Sequence, residues 1–279
     1  MRQFRPGPDA ARYLEVAHGR PVVAPFNVRW LLPALCRDSL RRWWVVWIGS
    51  WPLLAAGAAL WAHLGGAGWE QAAATAVLLV ALPGVLQPDS THPVGVDLPA
   101  MALSMWAAVC FAAGMPVLGL AVTIVAVGVK EQSAIWVALW AWSPLPLLAL
   151  AAVGLAYVLR RPAMDRVTAA HPVLRRVHEH PVRSAFEHRA QAGGWRNSWL
   201  MVAPWSVTLA ALYDGGTPQL WAALAVGYAS LLIATDTVRI YQPPAAPVMA
   251  LGAAMVIPTP WLPLAVIAAV FWWRQPVTG

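Results

Sequence analysis

Between Leu98 and Leu159 the chain carries no Asp, Glu, Lys or Arg except two adjacent residues, Lys130 and Glu131. As helix, a stretch of that length runs about 93 Å at 1.5 Å per residue, enough for three passages through a hydrocarbon layer of roughly 30 Å. Soluble domains carry about 25% charged residues; this chain carries 11%, with 59% hydrophobic residues and 18 tryptophans among 279 positions. Such a composition excludes an ordinary soluble enzyme and points to an all-α integral membrane protein, a polytopic bundle in the cytoplasmic membrane.

Hydrophobic runs at about 43–63, 71–88, 98–115, 116–135, 140–159, 199–213, 217–234, 245–258 and 260–273 predict eight or nine spans. Breaks in the uncharged region are expected at Gly114–Met115–Pro116 and at Ser143–Pro144–Leu145–Pro146. The organisation that follows is one structural domain in four parts. Residues 1–42 form an amphipathic segment, 43–159 a first membrane bundle, 160–198 a basic loop and 199–279 a second membrane bundle. The opening residues show no apolar core or cleavage pattern of a removable signal peptide. Cys36 and Cys110 are too few for a disulfide framework or a metal site, so free thiols are expected.

Positive charge is concentrated in two places. Residues 1–42 hold eight Arg against three acids, and residues 160–198 hold eight Arg, three acids and four His. Beside membrane spans such segments act as topology signals and headgroup contacts rather than nucleic-acid sites. The long polar loop at 160–198 is therefore expected in the cytoplasm, and counting back through five crossings places residues 1–42 outside. That placement requires them to lie on the outer face as short amphipathic helices, for which Tyr13, Leu14, Val22, Val23, Phe26, Trp30, Leu31 and Leu32 supply an apolar side. Tryptophans near proposed span ends, among them Trp43, Trp44, Trp69, Trp199 and Trp261, read as interfacial anchors. In the basic loop, His178-Glu179-His180 lacks the helical i,i+4 spacing of a zinc site, so no metal site is assigned to it.

An ionisable residue within a span costs roughly 2.5–3.5 kcal/mol on insertion scales, so Lys130 and Glu131 need a compensating role. Adjacent residues on a helix point about 100° apart, so the pair implies a helix break, with one member facing a polar cavity. The alternatives are a solvated turn or a mutually neutralising pair at a span end. Near the N-terminus Asp9 precedes Tyr13 by one helical turn; Asp9 either caps that helix or serves as a reactive carboxylate. Lys130 is the only lysine in a chain with 18 arginines, and a lysine suits a point-charge contact to phosphate.

Several short motifs occur in a telling order: Asp9-x-x-x-Tyr13-Leu14-x-x-Ala17, then Pro25-Phe26-Asn27-Val28-Arg29-Trp30-Leu31-Leu32-Pro33, His92-Pro93-Val94-Gly95-Val96-Asp97, Lys130-Glu131 and Asp236-x-x-Arg239 before Pro243. This order resembles bacterial GT-C type glycosyltransferases, in a short or N-terminally truncated form. The resemblance implies transfer of a sugar from a polyprenyl-phosphate donor to an acceptor at the outer face of the cytoplasmic membrane. It implies Asp9 as general base, Asp97 as a second carboxylate, and Arg29 and Lys130 as contacts to the donor phosphate. Glu131 and Tyr13 would line or orient that site. The chemistry is coherent, since sugar transfer needs a base for the attacking hydroxyl and a cation for the departing phosphate. No organic cofactor is implied; a divalent cation is left open. Two other classes compete: a transporter or channel component with a polar path through Lys130, Glu131 and the outer aspartates, and a noncatalytic membrane accessory protein.

Overall fold

The computed structural model describes residues 8–22, 26–82, 93–156, 158–159, 210–211, 213, 217–231 and 237–272. Among these the fold is all-helical, with no strand. A short helix α1 (Pro8–Ala17), a 3-10 turn (Phe26–Val28) and α2 (Leu31–Cys36) precede the longest element, α3 (Leu40–Leu64). Then come α4 (Trp69–Ala81), α5 (Asp97–Ala112), α6 (Pro116–Val129) and α7 (Ser133–Trp140). A 3-10 segment (Leu145–Ala149) opens an apolar helix that runs to Ala156. The C-terminal part holds α8 (Pro218–Leu231), α9 (Thr237–Val256) and α10 (Leu262–Trp272).

Local chemistry explains most boundaries. Ser39 starts α3, its Oγ accepting from the backbone N–H of Arg42 at 3.4 Å. Pro116 opens α6 at a position whose N–H would have no helical partner. Gly114, at φ 73°, ends α5 as expected, and the N–H of Met115 reaches back to the Cys110 carbonyl at 2.8 Å. Helices α3 and α5 meet at Gly57, where an added Cβ would lie 2.9 Å from Met105 Cγ. One hydrophobic cluster runs from Ala10 and Tyr13 through α3, α4 and α5 to Met249 and Ala265, and α9 packs on both α4 and α7. The first and second bundles therefore share a core.

By length and composition one helix, α3, suffices to cross a membrane: 25 residues with a mean hydropathy of 1.5 in its most apolar window. Among the described residues, apolar helical stretches of 10–17 residues are found at Trp69–Ala81, Asp97–Ala112, Pro116–Val129, Leu145–Ala156, Pro244–Val256 and Thr259–Ala268. The expected run at 199–213 lies almost wholly outside the described residues, as do the basic loop with its histidines, Asp89, Asp214 and Asp236. Arg239 falls near the start of α9.

The run expected at 140–159 behaves differently from a simple crossing. Helix α7 ends after eight residues, with Trp136 and Trp140 almost fully buried and Trp142 of the following turn exposed. The chain then reverses: the N–H of Ser143 bonds the Ala138 carbonyl at 3.0 Å and that of Trp142 bonds Leu139 at 3.3 Å, the paired bonds of a helix-ending Schellman turn. Trp142 sits at φ 49°, where glycine is usual and a bulky residue is strained. After the turn Ala149 lies in one buried cluster with Val127 and Ala134, back at the level where α6 ends and α7 begins. Thus α7 and the helix after it form a hairpin, and the chain returns toward the Lys130 end of the bundle. The orphan carbonyls at the buried end of α7 are satisfied from outside the helix. Gln219 Nε2 donates to Leu139 O at 2.7 Å and Trp140 O at 3.0 Å, and Trp61 Nε1 donates to Trp140 O at 3.0 Å.

Candidate functional site

Helix α6 stops at Val129 and α7 starts at Ser133, so Lys130 and Glu131 occupy the helix break that their spacing predicted. Lys130 is extended, at φ −150° and ψ 124°, which turns the two side chains to different partners. Antiparallel packing of α5 and α6 brings Asp97, in the first turn of α5, beside the end of α6. The Lys130 ammonium donates to Asp97 Oδ1 in a buried ion pair. Its Nζ also lies 5.2 Å from the centre of the Trp136 ring, a cation–π contact.

Glu131 takes the other direction. Arg29 grips it with two parallel bonds, Nε to Oε2 at 2.7 Å and Nη2 to Oε1 at 2.6 Å, the fork geometry that only arginine offers. The remaining face of the guanidinium is used as well: Nη1 donates to the Tyr13 hydroxyl at 3.1 Å. Phe26 supports this arrangement, with Tyr13 at 5.3 Å between ring centres and the guanidinium carbons of Arg29 and Arg12 at 5.3 and 4.7 Å. The 3-10 turn at Phe26–Val28 holds Phe26 and Arg29 close in chain and in space, and Leu31 of α2 lies against Gly128 of α6. A segment from the N-terminus is thereby tied to a site 102 residues away.

Asp9 is a helical residue in the first turn of α1 rather than its cap, and pairs with Arg12 at 3.3 Å. Its side chain is 29% exposed, against 10% for Asp97. The ionisation of Tyr13 registers the whole group. Burial pushes its pKa up, the Arg29 charge works against that, and the Asp97 and Asp9 charges add to it. For Arg29, burial opposes the charged form, but the bonds and charge of Glu131 outweigh it and hold the guanidinium protonated.

All six residues singled out in the sequence, Asp9, Tyr13, Arg29, Asp97, Lys130 and Glu131, thus converge at one end of the bundle. What the sequence reading missed is their pairing. It gave Lys130 and Arg29 to a ligand phosphate and one member of the Lys130–Glu131 pair to a polar cavity, whereas each cation holds a carboxylate and the four charges sum to zero. It also missed Phe26 and Trp136 as the aromatic walls. Phe26 lies in the Pro25–Pro33 motif itself, while Trp136 follows Lys130 by six positions and gives no signal apart from being aromatic. Close by, the Ser133 Oγ is buried with no hydrogen-bond partner among the described residues, an unsatisfied group of the kind a water or ligand fills.

No three His, Cys, Asp or Glu side chains among the described residues are grouped to hold a metal. Asp97 and Glu131 are both engaged by cations. No protein-family profile matches the chain, and neither a curated protein nor a solved structure is significantly similar to it.

Proposed function

We propose that the protein is a multi-pass membrane protein whose charged cluster serves sugar transfer from a polyprenyl-phosphate donor. The observation that carries this reading is the convergence of the six residues from α1, the Arg29 loop, α5 and the α6–α7 break, in the order in which the chain resembles GT-C enzymes. Membrane residence is supported by the length of α3 and by its exposed apolar residues Trp44, Val45, Ile48 and Leu53. The hairpin agrees with it, because its second arm exposes Leu147, Leu148, Leu155 and Leu159, while the last carbonyls of α7 are satisfied by Gln219 and Trp61, as backbone groups within a bilayer must be.

In this mechanism Asp9, partly exposed and paired with Arg12, takes the proton from the acceptor hydroxyl. Donor phosphate would draw Lys130 or Arg29 from its carboxylate, so that the cation meets the charge growing on the leaving group. The test is transfer of radiolabelled sugar from a polyprenyl-phosphate donor in membranes expressing wild type or Asp9→Asn. The reading requires incorporation to fall by at least about 100-fold, the scale of a general base; equal incorporation would remove Asp9 from the mechanism.

A second reading is favoured by the pairing of every cation: the cluster is a latch that docks the N-terminal segment onto the bundle, in a protein without catalysis. A latch leaves Asp9→Asn silent while Glu131→Gln releases the segment. The side of the membrane also separates the readings. A hairpin in place of the fifth expected crossing would leave four between the Arg29 segment and residue 159, and so would put those two at one end of the bundle. The charge rule assigns that end to the cytoplasm, whereas the resemblance implies the outer face for the site.

A further inference from the structure

A second cationic feature lies where α2 meets α3 and shares no residue with the charged cluster. A cleft of about 530 Å3 opens there, lined by Leu35, Ser39, Arg41, Arg42, Val45 and Val46 among others. Arg42 is anchored at its edge, Nη1 donating to the Leu35 carbonyl at 3.0 Å. Arg37, Arg41 and Arg42 are all exposed, and no described carboxylate lies within ion-pair distance of any of them. The nearest in sequence, Asp38, is taken by His18 at 2.9 Å. Arg41 and Arg42 line the cleft, Arg37 stands four positions before Arg41, and guanidinium groups suit a multiply bonded anion.

Beneath them the surface changes character along one helix face. Arg41, Val45, Ile48 and Pro52 follow one another at i, i+4, i+7 and i+11, flanked by Trp44 and Leu53, and all are exposed. Below Arg41 the stripe is wholly apolar. A free anion would use the guanidinium groups and leave the stripe bare; a molecule with a charged head and a hydrocarbon tail uses both.

We propose that this cleft binds the phosphate headgroup of an anionic phospholipid, with an acyl chain lying along the Val45–Ile48–Pro52 stripe of α3. The site is a lipid seat at the end of the long helix, beside the segment that carries Arg29, so a bound lipid would brace the α2–α3 junction. It does not depend on the transferase reading.

The test is native mass spectrometry of the detergent-solubilised full chain titrated with phosphatidylglycerol, phosphatidylcholine or inorganic phosphate. Wild type is expected to retain phosphatidylglycerol over phosphatidylcholine and to take up no inorganic phosphate. Arg41→Gln/Arg42→Gln is expected to lose about 30-fold in phosphatidylglycerol retention, at roughly a factor of five per arginine at an anionic surface. Arg41→Lys/Arg42→Lys keeps the charges and is expected to keep most of the retention, which separates lost charge from lost fold. Equal retention of the two lipids by wild type, unchanged retention in the Gln variant, or displacement of the lipid by inorganic phosphate would each overturn the proposal.

Discussion

The buried cluster around Lys130 and the exposed arginines at Arg37, Arg41 and Arg42 lie at the same end of the molecule and use positive charge in opposite ways. In the first, two cations and two carboxylates are removed from water and every charge has a partner. In the second, three cations face outward with no carboxylate among the described residues. Desolvation decides the difference. A buried charge without a counterion costs several kcal/mol, so the interior admits only balanced sets, whereas an exposed arginine costs little and can wait for an external anion.

The comparison breaks most visibly if the two arginine-rich segments lie on opposite sides of the membrane. Cysteines introduced at exposed Arg20 and at Thr168 should label alike with a membrane-impermeant maleimide in intact cells, and one at exposed Glu70, at the other end of α3, should label oppositely. Native Cys36 and Cys110 are buried and should give little background. Opposite labelling of positions 20 and 168 would restore a fifth crossing and refute the hairpin as the route of the chain.

A smaller but still large effect is expected from unbalancing the buried set. Lys130→Ala takes the buried cation from Asp97 and should destabilise the fold by about 3–5 kcal/mol, whereas Lys130→Met/Asp97→Leu, which removes both charges, should recover most of that. Arg41→Gln, at the exposed cluster, should move stability by no more than about 0.5 kcal/mol. Unfolding in detergent, followed by tryptophan fluorescence, measures all three.

The smallest effect sits at the edge of the buried cluster. Tyr13→Phe removes one hydrogen bond to a charged group, worth roughly 1.5–3 kcal/mol at most. Its pH signature is more specific than its size. Because burial raises the pKa of Tyr13 in the folded protein, its contribution is whole below about pH 10, the ordinary tyrosine value, and is lost as pH rises above it. Tyr13 should form phenolate only above the ordinary tyrosine range in an alkaline absorbance titration, and Tyr13→Phe should abolish that late phase.

How far the sequence disclosed this arrangement depends on which signal each part carries. Lys130 and Glu131 were visible because they interrupt a charge-free region, and the break at Val129 follows from the cost of pointing both into one face. The turn at Gly114–Pro116 was visible because glycine and proline have unambiguous backbone preferences. The pairing was hidden because it is tertiary: nothing local joins Arg29 to Glu131 across 102 residues. Trp142 was hidden for the opposite reason, since a bulky residue at positive φ contradicts the local preference that makes turns legible. The apolar run at 140–159 has the composition of a crossing, and only the packing of Ala149 beside Val127 and Ala134 shows that it doubles back.

The central claim is that Lys130 belongs to Asp97 in the resting protein. A double-mutant cycle of unfolding free energies over Lys130→Met, Asp97→Leu and the pair measures it directly. The buried ion pair predicts a coupling of about 2 kcal/mol or more, within the 0.5–3 kcal/mol seen for residues in contact. A coupling indistinguishable from zero would mean that the two charges do not meet, and that Lys130 is not held by Asp97 in the resting protein.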